Sequence, residues 1–400
     1  MTMGMKTCQL EIRQKYPLFS AKFSNRLLEL LIEKTKDNGN IAISPSRMQT
    51  VLVLLANWAS PTIKEKILDV VGNEKMKMDE ANILCDTEHL HVTPWDEDYK
   101  HCIPTIESQT LLWVKEGLGL NASAIDSVSP FFDLSVKYVN FSDPDTKIII
   151  DKTVEELSHG LIKEIQTEIQ PLAQLLLTDI LYFKAKWVDR FQEEDTQMRF
   201  FYGAKGDIKV PMMHRIDPMM YCETQSCQIV QLRYMCMSEQ DKLFSMRIFL
   251  PRKSSSISDV LHEIRNVEFC LDLRERKVDL SLPRFSIESN VHMKDVLKDL
   301  GLECIYESMD IVSQLATDIQ ISEIAQQVKI IVNENETEAA ALTHIVGVGA
   351  LPSEKEEDPI VMNVNRPFMF EIVEEYGNTI LFSGIINNFK KIVYVRRNQR

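Results

Sequence analysis

The chain has no apolar run near the roughly 18 residues that a membrane-spanning helix requires. Its amino terminus, Met1 to Cys8, leads straight into charged residues and lacks the apolar stretch of a secretory signal. Positive charge is in deficit: 45 Lys and Arg against 59 Asp and Glu leave a net charge of −14. That balance argues against a nucleic-acid backbone or an anionic membrane as the main partner. Eight cysteines follow no repeating spacing, so a disulfide framework is not expected. With no signal, this points to a reducing, cytoplasmic setting, or to export by a route that leaves no signal. No glycine-rich phosphate loop, H-E-x-x-H or G-x-S-x-G elbow occurs, which disfavours enzymes of those types. Cys85, His89, His91, His101 and Cys102 cluster in sequence, but their spacing fits no common zinc motif. No metal and no cofactor are therefore expected.

What is present is a chain of 400 residues, 44% hydrophobic and 26% charged, long enough to bury a sizeable core. No internal repeat, linker or shift in composition divides it, so residues 1–400 are expected to form one domain. Phe19, Phe23, Leu27, Leu30 and Leu31 share a helical face. Ser44-Pro45-Ser46 opens a second apolar helix through Met48, Val51, Leu52 and Leu55, with Ser46 as the expected cap. The carboxyl half holds strand-like runs at Leu243–Leu250, Val278–Leu282, Gln327–Val332, Ile360–Val364, Phe368–Val373 and Thr379–Ile386. A helix from about His292 to Leu300 should end at Gly301, where a left-handed cap is cheap. Helices first and strands interleaved later predict an α+β architecture with large, mostly antiparallel sheets.

Between two of these strands lies Glu334 to Pro359, about 26 residues without helical period, unusually long for a loop inside a compact domain. Taken as a latent strand, its first part divides by the period of two. One face carries Thr337, Ala339, Ala341, Thr343, Ile345 and Gly347, uncharged and mostly small. The other carries Glu338, Ala340, Leu342, His344 and Val346. Such a segment suits a strand that waits outside and later enters an existing sheet, small side chains inward. An alanine-rich surface loop with incidental alternation is the plainer reading.

The run Asn333-Glu334-Asn335-Glu336-Thr337-Glu338-Ala339-Ala340-Ala341 resembles the hinge of inhibitory serpins, usually N-E-E-G-T-E-A-A-A. Asn365-Arg366-Pro367-Phe368-Met369-Phe370 with Ile380-Leu381-Phe382-Ser383-Gly384 resembles that family's carboxyl-terminal signature. Tyr182-Phe183-Lys184-Ala185-Lys186-Trp187, Val210-Pro211-Met212-Met213, Leu282-Pro283-Arg284-Phe285 and Ser44-Pro45-Ser46 are similar to further family motifs, in the same order.

The resemblance implies a serpin fold: three β-sheets, about eight to nine helices and a long exposed reactive-centre loop at about 334–359. It implies a suicide inhibitor of serine-type proteases. The protease cuts the loop and forms an acyl-enzyme, and the cut loop enters the central sheet as a new strand. The folded state is then protected by a barrier rather than by being the minimum. Counted as the family counts, the bait bond is Ala350–Leu351. Pro352 disfavours cleavage after Leu351, Glu356 and Glu357 disfavour cleavage after Lys355, and Val348-Gly349-Ala350 suits a small apolar pocket. Elastase-, chymotrypsin- or subtilisin-like targets are expected, bound covalently by a monomer. The acidic stretch from Glu80 to Lys100 argues against heparin. The hinge would be Glu334, Glu336, Thr337, Glu338, Ala339, Ala340, Ala341 and Leu342. The sheet-opening apparatus would be Trp187, Ser44, Ser46, Asp179 and Gln326. The alternative is a non-inhibitory serpin that binds or carries a ligand.

Several positions depart from the family pattern. Glu336 stands where the hinge usually has glycine, and is expected to slow insertion. Asp179 and Gln326 replace the usual asparagine and histidine. They suggest either a rewired network, with Gln326 donating to the Asp179 carboxylate, or two tolerated polar swaps. A sequon at Asn335-Glu336-Thr337 would put a glycan in the moving hinge, which favours an unglycosylated setting. The tail from Lys390 to Arg400 is basic, extends past the family's usual end, and reads as a frayed or edge-pairing terminus.

Overall fold

The computed structural model describes residues 11–12, 15–16, 19–34, 39–72, 76–85, 92–94, 96–165, 168–238, 242–266, 272–337 and 358–389. Outside them fall Glu338, Ala339, Ala340, Ala341 and Leu342 of the expected hinge, the bait residues Ala350 and Leu351, His89, His91 and the tail 390–400.

The first helix, α1 (Phe19–Lys34), buries Phe23, Leu27 and Leu31 at the spacing of one helical face. After the short strand β1 (Ile41–Ile43), α2 (Pro45–Trp58) is buried along almost its whole length. Its cap differs from the sequence expectation. Ser44, not Ser46, is the N-cap residue, because Pro45 takes the first helical position, where its missing N–H is not needed. The Ser44 hydroxyl leaves the helix and donates to Leu381 O, 2.7 Å away. The helices α3 (Pro61–Val71) and α4 (Met78–Cys85) pack against α2.

A five-strand sheet then forms around β2 (Thr105–Lys115), β3 (Leu134–Val139) and β4 (Leu175–Lys186), completed by β10 (Phe285–His292) and β11 (Ile321–Val332). Its order is β10-β11-β4-β2-β3, and a sixth, two-residue strand pairs with β4. Two helices lie between its early strands in sequence, α5 (Ala122–Asp126) and α6 (Asp145–Leu157). The sheet is covered on both faces. Ile150 and Val154 of α6 pack with Leu176 and Ile180 of β4 and Trp113 of β2, while Leu175 and Leu177 of β4 join the core cluster around α2. That explains why β4 reads as a near-continuous apolar run rather than an alternating one.

The remaining strands, β5 (Gln197–Gly203), β6 (Gly206–Glu223), β7 (Cys227–Arg233), β8 (Phe244–Pro251), β9 (Arg274–Pro283), β13 (Ile360–Asn363), β14 (Phe368–Glu374) and β15 (Thr379–Ile386), join β1 in a nine-stranded sheet. The long strand β6 links its two lobes, pairing with β5 at its start and β7 at its end, with β9 alongside. Reading the lobes separately recovers the expected three sheets. Three helices, α7 (Ile257–Asn266), α8 (Met293–Asp299) and α9 (Cys304–Glu307), bring the number to nine among the described residues. Gly301 closes the turn after α8 at φ 81°. The expected runs Phe368–Val373 and Thr379–Ile386 are β14 and β15.

Candidate functional site

β4 and β11 run parallel, paired from Leu175 with Ile321 up to Asp179 with Gln326, and there the ladder between them ends. Beyond that pair β11 continues against β10, and β4 continues against β2. A narrow cleft lies where they part, lined by Phe183 of β4, Lys329, Ile330 and Ile331 of β11, and Phe382 of β15. The direct pairing of β4 with β11 below the cleft leaves no room there for a strand between them.

At the mouth, the chain leaving β11 turns back. Asn333 Oδ1 accepts from Asn335 N (3.0 Å) and Glu336 N (3.1 Å). The next two residues form β12 (Glu336–Thr337), antiparallel to the end of β4, with Glu336 opposite Lys186 and Thr337 opposite Ala185. Trp187 fastens this turn. Its indole Nε1 donates to Asn333 O at 2.9 Å, its backbone N donates to Asn335 O at 3.2 Å, and its ring stacks on Tyr234 with centroids 4.5 Å apart. A buried indole needs such a partner for its N–H.

Glu334 is 2% exposed. Its carboxylate accepts from Thr196 Oγ1 at 2.7 Å and from Arg284 Nη2. Burial pushes the carboxyl up, but these two donors outweigh it and hold it below the ordinary carboxylate range. Glu336, also buried, sits at the start of the paired segment where the family hinge has glycine. Its backbone takes the extended β12 conformation, which requires no glycine.

Beneath the point where the ladder ends lies a buried polar cluster. Gln326 exchanges two hydrogen bonds with the backbone of Ser44: Ser44 N donates to Oε1 (3.1 Å), and Nε2 donates to Ser44 O (3.0 Å). Asp179 receives Arg47 Nε at 2.9 Å and Arg47 Nη2 at 2.6 Å, a bidentate pair with both side chains almost wholly buried. Thr110 Oγ1, on β2, donates to Asp179 Oδ1 at 2.7 Å. The expected Gln326-to-Asp179 bond is therefore not formed. A full charge in the core needs a full countercharge, and Arg47 supplies it where an amide would not. Ser46 Oγ is buried and makes no hydrogen bond among the described residues.

Arg47 and Thr110 were not anticipated from the sequence, although a signal was present. An aspartate inside the apolar run Leu175-Leu176-Leu177-Thr178-Asp179-Ile180-Leu181 demands a partner, and Arg47 is the charged residue next to the Ser44-Pro45-Ser46 motif. Cys85 and Cys102 are buried free thiols, and no cluster of metal-ligating side chains forms among the described residues.

The family model described as "Serpin (serine protease inhibitor)" matches residues 19–389. A serpin-like protein of Thermococcus kodakarensis is 28% identical over 94% of this chain and 87% of its own length. Human Serpin I2 is 26% identical over 87% of this chain and 86% of its own. Among solved structures, an Arabidopsis serpin in its native stressed conformation superposes with a TM-score of 0.78 at 22% identity, covering 94% of this chain and 98% of its own. Human thyroxine-binding globulin complexed with thyroxine also gives a TM-score of 0.78, at 21% identity, covering 94% and 99%. With the family model spanning nearly all of the sequence, and a five-strand sheet parted above Asp179 and Gln326, the chain belongs to the serpin family.

Proposed function

We propose that the protein inhibits serine-type proteases as a suicide substrate, by inserting its cut loop between β4 and β11. The observation that carries this reading is the register at the mouth, Glu336 with Lys186 and Thr337 with Ala185. Continued in that register, Ala339 would stand opposite Phe183, Thr343 opposite Asp179 and Gly347 opposite Leu175, the first residue of β4. The latent strand read from the alternation thus matches β4 in length.

It matches in face as well, because residues directly opposite in an antiparallel pair point the same way. Ala339, Thr343 and Ile345 would face inward with Phe183, Asp179 and Leu177, toward α2 and the cores. Leu342 and Val346 would meet Ile180 and Leu176 beneath α6, and Glu338 would stand opposite Lys184. Residues 338 to 342 would enter where no pair joins β4 to β11, and further entry must part Asp179 from Gln326.

The bait bond in this reading is Ala350–Leu351. The test is to mix the protein with pancreatic elastase, chymotrypsin and subtilisin, and to look for an SDS-resistant complex on a gel. A stable covalent band with a released peptide beginning at Leu351 supports the reading. Clean cleavage with no complex refutes it and favours a non-inhibitory binding or carrier protein. The buried glutamate at position 336 is the feature most favourable to that second reading.

A further inference from the structure

Strand β5 presents three large side chains to solvent. Met198, Phe200 and Tyr202 alternate along it and are 47%, 49% and 51% exposed, while Phe201 between them is buried against Phe368. β5 is also an edge, paired with β6 alone. The hairpin between the two strands closes at Gly203 opposite Gly206, so the N–H groups of alternate β5 residues point away from β6. The N–H of Ala204 donates to Asn387 O at 3.1 Å, and that of Tyr202 to Asn365 O at 2.7 Å. The next two in the same alternation, Phe200 and Met198, meet no backbone acceptor on that side among the described residues. An apolar strand with such an edge is a template for another strand.

The chain itself delivers a strand-forming segment to this place. β15 ends at Ile386, Asn387 bonds to the tip of the β5–β6 hairpin, and Asn388 Oδ1 accepts from Lys205 N at 2.6 Å. The Phe389 ring then meets Phe201 edge-on, centroids 4.8 Å apart. Beyond it the sequence runs from Lys390 to Arg400, a reach of about 36 Å when extended, whereas β5 from Tyr202 back to Gln197 spans about 20 Å. Ile392-Val393-Tyr394-Val395 is a run that favours a strand, and Arg396 and Arg397 follow it. At the start of β5 stand Glu193, Glu194 and Asp195, all exposed. Arg396 is as far in sequence from Phe389 as Glu194 is from Phe201. A segment laid antiparallel to β5 from that anchor brings the two arginines to the three acids, and the apolar run alongside Met198 and Phe200.

We propose that the outer edge of β5 is the docking site of residues 390–400, which pair with it antiparallel as one further strand. The segment then supplies acceptors to the Phe200 and Met198 N–H groups, lays apolar side chains beside theirs, and closes the edge to a second copy of the chain. The arginine–carboxylate pairs set direction and register more than stability, because exposed ion pairs contribute little. The proposal is independent of loop insertion.

The experiment compares the full chain with one ending at Phe389, by hydrogen exchange of the β5 amides and by light scattering over a range of concentrations. The full chain should be monomeric, with the Met198 and Phe200 amides exchanging about tenfold or more slowly than in the shortened chain, the equivalent of one or two net hydrogen bonds. The amides of β14 and β15 should exchange alike in both, which separates the loss of an added strand from a general loosening of the fold. Glu193→Lys with Glu194→Lys alters only exposed side chains of the full chain and should lose much of the protection. Combining it with Arg396→Glu and Arg397→Glu should restore it. If the shortened chain folds poorly, this reversal and its rescue decide the matter alone. Equal exchange in the full and shortened chains overturns the proposal, as does a combined variant that recovers no protection. Protection that fades on dilution as a dimer dissociates assigns the edge to a second copy, and overturns it too.

Discussion

Replacing Ala339 by arginine should turn the protein from a trap into a substrate. In the register set by Glu336 with Lys186, residue 339 comes opposite Phe183, on the face that packs with Ile330 and Phe382. An arginine there brings a charge among the apolar side chains of Phe183, Ile330 and Phe382. Burying an unpaired ion costs several kcal/mol after relaxation. A share of about 3 kcal/mol felt in the inserting step would slow it roughly 150-fold relative to hydrolysis of the acyl-enzyme. The neighbouring replacement, Ala340→Arg, falls on the other face opposite Tyr182, a buried ring that packs against the exposed side chain of His159, itself bonded to the exposed Glu107 carboxylate. It should trap nearly as well as wild type. The assay is the number of inhibitor molecules cut per complex formed, by titration against one protease. Equal behaviour of the two variants would refute the register, and with it the assignment of inward and outward faces.

The buried ion pair yields a second prediction. Arg47→Met should destabilise the uncut protein by about 3–5 kcal/mol, because Asp179 is left charged in the core, whereas Arg47→Met with Asp179→Leu should be close to neutral. For a chain of this length that is a fall of about 5 °C in melting temperature for the single variant. A single variant that melts like wild type would contradict the pair's burial. A third concerns pH. Burial pushes the carboxyl of Glu371 up to about 7, against the smaller opposing effect of Arg247. Its folded value lies above its unfolded one, so its contribution is fully present below the unfolded value and is lost as pH rises to about 7. Stability should therefore fall by about 3 kcal/mol between pH 4.5 and 7.5 from this group, and Glu371→Gln should flatten the profile; an unchanged slope would contradict it. Glu334 has the opposite sign. Its carboxyl is held low, so its contribution is lost as pH falls through the acid range. Arg284→Met should move that loss to higher pH, read by acid titration of the melting temperature.

Much of the site was legible because its residues carry local patterns. The alternation from Thr337 to Gly347 needs only a period of two to be read, and all of it beyond Thr337 lies outside the described residues. Trp187 and the turn at Asn333 to Thr337 lie in contiguous motifs, and the structure brings them together by direct bonds. Strands such as Thr379–Ile386 are bounded by turn residues and were found with their ends intact. What escaped depends on contacts distant in sequence. Arg47 meets Asp179 across 132 positions, and no local rule connects them. The first half of β11, Ile321 to Gln326, was missed because Ser322 and Glu323 interrupt the apolar pattern. A bulge between Ile321 and Glu323 shifts the register there. Pro45, as the first helical position, moves the cap from the expected Ser46 to Ser44.

The most direct test of loop insertion is the melting temperature before and after a single cut in the loop. A new strand from Thr337 to Gly347, bonded along both edges, adds on the order of ten hydrogen bonds at about 1 kcal/mol each. Spread over a chain of this length, that raises the melting temperature by about 10 °C or more. A rise of that size after subtilisin cleavage, with new amide-exchange protection in β4 above Asp179, is the predicted result. Cleaved protein that melts where the intact protein does, with that stretch of β4 exchanging as before, would contradict it.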